Sequence, residues 1–124
     1  PRNRADRAAY EAVNVAGTRR LLTALTRLET LPKAVVHIST VLVYGRDEGY
    51  DLPETTPLRD NGLYGLSKIR AEETVLDWGT RLGVQTTILR LPLVVGDRPQ
   101  GNLAALQRAL RRGYYVRVGD GTAR

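Results

Sequence analysis

The chain has 124 residues, 42% of them apolar, a formal charge of +6 and no cysteine, a length that suits one ordinary domain. Without cysteine there is no thiol nucleophile, no thiolate metal ligand and no need for an oxidising compartment. A single histidine, His37, among scattered carboxylates predicts no metal site.

No apolar run approaches a membrane span and nothing has the form of a signal peptide, so a cytoplasmic protein without membrane attachment is expected. The basic charge alone would suit nucleic acid, but that requires cations gathered on one surface with aromatics to stack on bases. Here the arginines are spread over the helical segments (Arg7, Arg19, Arg27, Arg70, Arg81, Arg108) and lysine contributes only Lys33 and Lys68. A solvated surface is the better account, and no nucleic-acid partner is expected.

In chain order, the first segment places Ala8, Ala12, Val15, Ala16, Leu21, Leu22, Leu25 and Leu28 at three- and four-residue steps. That spacing predicts one long amphipathic helix over Ala5–Leu28. Gly17 interrupts the pattern and is expected to permit close backbone packing. AVVHIST, Ala34 to Thr40, is an apolar β-branched run of the kind a buried parallel strand shows. The stretch from Arg46 to Gly62, punctuated by Gly49, Pro53, Pro57 and Gly62, has neither period and predicts a loop in which Glu54 is a solvated turn carboxylate. A second helix is expected from Tyr64 to Leu82, capped by Gly83. Val84 to Gly96 reads as a second strand that stops at Pro92, because proline cannot donate to a sheet ladder. Leu103, Leu106 and Leu110 then share one helical face, and YYVRVGDGTAR reads as a short strand and a glycine turn.

Two places carry candidate chemistry. Ser39 and Thr40 put hydroxyls at the end of the first strand, and in an open parallel sheet ligands bind at the carboxyl ends of strands. In YGLSK, Tyr64 and Lys68 are four residues apart and share a helix face. A phenol beside an ammonium suits proton transfer, since the cation favours the phenolate. Such a pair is a weak signal alone and takes its weight from the hydroxyl strand upstream.

Together the strand ending in Ser39 and Thr40, the YGLSK helix, NVAGTRRLL, LRLPLVVG and GDGT resemble the extended short-chain dehydrogenase/reductases, the NAD(P)-dependent sugar epimerases and dehydratases. The resemblance runs essentially the whole length of the chain. It implies an α/β fold, a partial Rossmann-like parallel sheet flanked by helices. It also implies a triad of Thr40, Tyr64 and Lys68: Tyr64 as general acid or base, Lys68 beside it and on the nicotinamide ribose, and Thr40 on the substrate oxygen. Asn14, Ser39, Tyr64, Lys68 and Pro92 are implied as cofactor-binding, with NAD the cofactor and NADP the alternative. The substrate implied is a sugar derivative, a nucleotide sugar first. Val41 and Leu42 stand where the dehydratases carry an Asp-Glu pair, so an epimerase is expected rather than a 4,6-dehydratase. Leu93 stands where many members place an asparagine on the nucleotide phosphate, which weakens the nucleotide-sugar reading.

A dinucleotide fold also needs a glycine-rich turn after its first strand, and no such turn precedes Tyr64. Residues 1–124 are therefore expected to form a single partial NAD(P)-binding domain, truncated at both ends and lacking the first βαβ unit. Alone it is expected to show no turnover and to self-associate through an apolar sheet edge beside Val35 and Val36. The family also implies a homodimer through helices 5–28 and 64–82. Two other readings stand beside the epimerase: a reductase of a non-nucleotide substrate, and an inert helical dimerisation module.

Overall fold

A computed structural model describes residues 4–46, 51–59, 62–96 and 101–114. Backbone contacts divide the chain into two units, one up to Pro92 and one from Leu93 onward. The first begins with a helical run in three parts: α1, Arg4–Tyr10; a π-helical segment, Glu11–Gly17; and α2, Thr18–Thr26. The single helix expected over Ala5–Leu28 is thus helical as far as Thr26, where it ends, and changes its hydrogen-bonding period in the middle. Strand β1, Ala34–Thr40, follows, then a 3₁₀ turn, Val41–Tyr44, closed by Gly45 in the left-handed conformation at φ 59°. Helix α3 spans Leu63–Leu82, and β2 spans Gln85–Leu91 and stops before Pro92 as expected. Gly83 caps α3 at φ 67°, the left-handed backbone that glycine adopts without a Cβ penalty.

The two strands pair in parallel, Ala34 opposite Gln85 through Thr40 opposite Leu91. Side chains alternate across a strand, so Val35, His37 and Ser39, with their register partners Thr86, Ile88 and Arg90, face the helices. The core on that face is Leu22, Val75, Trp78 and Val84, with Leu25, Leu31, Val35 and Ile88 packed against it. The Trp78 indole N–H donates to the Thr26 hydroxyl at 2.8 Å, so the aromatic body is buried with its polar atom satisfied. The opposite face differs from the buried strand that the apolar run predicts: Val36 is 57% exposed and Ile38 51%. Val35, on the face opposite Val36, is packed against the core.

In the second unit, α4 spans Gly101–Arg111. It ends in a Schellman motif, with Tyr114 N–H donating to Ala109 C=O at 2.9 Å and Gly113 N–H to Leu110 C=O at 3.1 Å. The strand and turn expected over Tyr115–Arg124 lie outside the described residues. No helix among the described residues is long and apolar enough to cross a membrane.

The close backbone approach assigned to Gly17 falls elsewhere. A Cβ on Gly17 would meet only the Ala12 carbonyl at 3.6 Å, ordinary contact. A Cβ on Gly79 would sit 2.8 Å from the Val84 carbonyl oxygen and against Thr86 Cγ2, so α3 reaches the sheet only because residue 79 lacks a side chain. The two alanine variants should therefore differ in sign. Gly79→Ala should destabilise, since overpacking costs about 1–3 kcal/mol against a helix-propensity gain of about 1 kcal/mol. Gly17→Ala should stabilise by up to about 1 kcal/mol. Urea midpoints of the two variants shifting in the same direction would refute this account of the packing.

His37 gives the fold a pH dependence. Its Nε2 is buried without a hydrogen-bond partner among the described residues. Burial, and then the charge of Lys68, hold its pKa below the ordinary 6.5, with Glu72 opposing. The unfolded chain therefore takes up this proton first, and stability should decline as pH falls from 6.5 through the lowered folded value. His37→Leu should remove that part of the decline when unfolding midpoints are compared at pH 7 and pH ~5.5. Identical pH profiles in the two proteins would show that His37 is not the source.

Candidate active site

Three contacts fix the direction of α3 across the sheet. Gly79 lies against Thr86, Glu72 meets Ser39 and Arg90, and Gly65 lies 3.4 Å (to a notional Cβ) from the Leu42 carbonyl oxygen. The helix thus runs against the strands, and its first turn, carrying Tyr64, lies at their carboxyl ends beside the turn that follows Thr40. That is the position at which parallel sheets bind ligands.

Lys68, one turn further along α3, donates to the Ile38 carbonyl at 2.6 Å, which ties the helix to β1 two residues before Thr40. Burial holds the Lys68 pKa below the ordinary lysine value, with Glu72 opposing. Among the described residues, two of its three N–H donors remain for other partners. Tyr64 is 38% exposed, and its hydroxyl has no hydrogen-bond partner among the described residues. The ring of Tyr10 packs against it, centroids 5.5 Å apart and tilted 60°, an arrangement that favours aromatic pairs and fixes the ring plane. Thr40 caps the 3₁₀ turn: its Oγ1 accepts from Leu42 N–H at 3.3 Å, which leaves its own O–H to donate. Pro92 is exposed just past the end of β2, and Thr40 is the register partner of Leu91 beside it.

Asn14 lies in the π-helical segment, a backbone form that often marks functional positions. Its amide donates to the Ser67 hydroxyl at 2.9 Å, and that hydroxyl donates to the Tyr64 carbonyl at 2.7 Å. Asn14 is therefore linked to the tyrosine turn through Ser67, which is 3% exposed and was not singled out in the sequence.

Ser39 faces α3 at 5% exposure, and its hydroxyl donates to the carboxylate of Glu72, itself 1% exposed. The alternation of the strand turns Ser39 inward, so its hydroxyl is engaged in the interior while that of its neighbour Thr40 lies at the strand end. Arg90, the register partner of Ser39, donates to the same carboxylate through Nη2 at 2.8 Å and Nε at 3.2 Å. Hydrogen bonding to Glu72 holds the Arg90 guanidinium even more firmly protonated than usual. Neither Glu72 nor Arg90 figured among the sequence candidates. Glu72 could have been found as the third member of the stripe Tyr64, Lys68, Glu72 at four-residue steps, and Arg90 by its alternation with Thr86 and Ile88.

Among the described residues no three His, Asp or Glu side chains gather as a metal site would require. A groove of about 310 Å³ between α2 and α3 is lined by Arg19, Thr23, Thr26, Trp78 and Arg81, and contains none of the groups above. The chemistry-bearing residues therefore lie at the strand ends. Tyr64 and Thr40 offer hydroxyls and Lys68 free ammonium N–H groups, a donor set that suits a ribose diol and a substrate oxygen and so fits the nicotinamide end of a dinucleotide.

Known proteins share this arrangement of chain. The enzyme N-acetyl-alpha-D-glucosaminyl-diphospho-ditrans,octacis-undecaprenol 4-epimerase of Escherichia coli O157:H7 is 33% identical over 115 residues, covering 91% of this chain and 34% of that protein. A UDP-glucose 4-epimerase of Streptococcus mutans serotype c is 34% identical over 91 residues, covering 73% of this chain and 26% of its own length. The chain thus spans about a third or less of the length of these relatives. Among solved structures, UDP-glucuronic acid 4-epimerase from Bacillus cereus in complex with NAD superposes with a TM-score of 0.81 at 27% identity, over 98% of this chain and 40% of that one. Its likeness agrees with the α/β architecture and parallel pairing described above. All of residues 1–124 match the sequence model of one family, and the chain belongs to that family, the NAD dependent epimerase/dehydratases.

Proposed function

We propose that this chain supplies the hydroxyl strand and the tyrosine helix of an NAD-dependent sugar 4-epimerase, as the central part of the nucleotide-binding domain. The observation that supports the reading is the direction of α3, whose first turn, carrying Tyr64, lies beside the turn that follows Thr40, with Lys68 one turn behind. The names of the relatives support the substrate class: they are 4-epimerases of sugars joined to a diphosphate, on a nucleotide in one case and on undecaprenol in the other. Leu93, in place of a phosphate-binding asparagine, accords with a site that does not depend on one particular carrier. NADP in place of NAD is the alternative cofactor.

Bound nicotinamide would supply the hydride chemistry, accepting a hydride from the sugar carbon and returning it. The protein's share is orientation and proton movement. Tyr64 Oη takes the proton from the sugar hydroxyl as the carbonyl forms and returns it afterwards, the work of a positioned general base and acid. Lys68, held on the Ile38 carbonyl, keeps a positive charge beside the phenol and has N–H groups for the ribose. Thr40 donates to the substrate oxygen. Asn14 acts through Ser67 on the Tyr64 turn. Exposed apolar side chains on the π-helical segment, α2 and α3 (Val13, Leu21, Leu76) support a homodimer through these helices.

In the enzyme carrying this chain, Tyr64→Phe should lower turnover by about 10²–10⁴-fold, the usual worth of a general acid or base, with NAD affinity close to wild type. Near-normal turnover in that variant would make Tyr64 structural and end the proposal. Val13→Glu with Leu76→Glu should reduce the sedimenting mass to that of a monomer; an unchanged mass would remove these helices from the interface.

A further inference from the structure

Half of the Arg90 guanidinium is engaged with Glu72, and the other half reaches outward. Nη1 donates to the Tyr44 hydroxyl at 3.0 Å and to the Glu54 backbone carbonyl at 3.0 Å, and the guanidinium carbon lies 5.1 Å from the Tyr44 ring centroid. The acceptors belong to different segments. Tyr44 ends the 3₁₀ turn that Thr40 caps, and Glu54 lies within Asp51–Arg59. A second tie, Arg59 N–H to the Val43 carbonyl at 3.0 Å, joins the same two segments. We propose that Arg90 is a positioning residue. Anchored by the buried Glu72, it clamps residues 51–59 onto the turn after Thr40 and so sets the wall of the substrate opening and the direction of the Thr40 hydroxyl. The identity of that opening rests on the function proposed above.

Neutralising Glu72 requires only Nε and Nη2; it does not account for Nη1 reaching two acceptors on separate segments. A planar fork fixed on a carboxylate at one edge has its remaining N–H groups aimed by that bond, which a lysine ammonium on a flexible stem cannot reproduce. The Glu54 side chain is exposed and its carbonyl is held, so the clamp fixes the path of the segment while leaving its outward side chains free to differ.

Two variants separate this role from simple stability. Tyr44→Phe removes one outward bond and leaves the Glu72–Arg90 pair whole; Arg90→Lys keeps a cation beside Glu72 and removes the fork. Both should raise amide hydrogen exchange at Thr56 and Arg59 by about tenfold while the amides of β1 and β2 keep their wild-type rates. In the enzyme carrying this chain, both should also raise KM for the sugar more than they lower kcat, with NAD affinity unchanged. Exchange at 56 and 59 that does not rise in Arg90→Lys would overturn the clamp. So would a rise spread evenly over strands and loop, or a local rise with KM unmoved. The exchange result is independent of the chemistry. A Tyr64→Phe enzyme with full turnover would defeat the proposed function and leave the exchange prediction standing.

Discussion

A single carboxylate in the interior ties the parts of this structure that carry chemistry. Glu72 is 1% exposed, and an unpaired charge at that depth would be untenable. It accepts from the Ser39 hydroxyl on β1 and from two nitrogens of Arg90 on β2, so helix α3 is joined to both strands at one point. Breaking a buried pair from one side leaves the other charge uncompensated, at a cost of about 3–5 kcal/mol. The interaction contributes less to net stability than to geometry. Apolar residues could fill the same volume, but they would not fix the rotation of α3 about its axis, and that rotation decides where Tyr64 and Lys68 point.

The apolar core and the polar cluster divide the length of α3 between them. Toward its C-terminal end Val75, Trp78 and the bare Gly79 pack against α2 and the start of the strands. Toward its N-terminal end Glu72, Lys68 and Ser67 meet polar atoms of β1 and of the π-helical segment. One half of the helix holds the sheet by hydrophobic burial and the other by directed hydrogen bonds. A site that must present groups in one orientation is better served by the second kind, because burial alone is non-directional. The same end carries the electrostatic tension: Lys68 is partly buried beside His37, and both have pKa values lowered chiefly by burial, with Glu72 the compensating charge.

The similarity to epimerases covers about a third of those proteins, and it falls on the strand, turn and helix that bear the candidate groups. The donor set at the strand ends matches the nicotinamide and ribose end of a dinucleotide. The pyrophosphate, by contrast, asks for helix-terminal amides after a glycine-rich turn, and the sequence carries no such turn before Tyr64.

The sequence by itself determined the elements and named the candidate groups. Apolar β-branched runs, helical spacing, Pro92 and Gly83 were enough to place β1, α3 and β2 within a residue or two, because local backbone chemistry governs those ends. The four-residue spacing of Tyr64 and Lys68 placed both on one face, since helix geometry makes that a local property. What the tertiary structure decided was everything that depends on which face meets which neighbour. Ser39 and Thr40 are adjacent hydroxyls in the sequence, and only the packing of α3 on the sheet turns the first inward to Glu72 and leaves the second at the strand end. Gly17 and Gly79 are both helical glycines, yet only the second lies against a strand. Arg90 reads as one more residue of an alternating strand until its register partner and the helix above it are known. Contacts between residues 18, 36 and 46 positions apart carry no signature in a local pattern, because the free energy that selects them comes from desolvating a charge that only the folded chain buries.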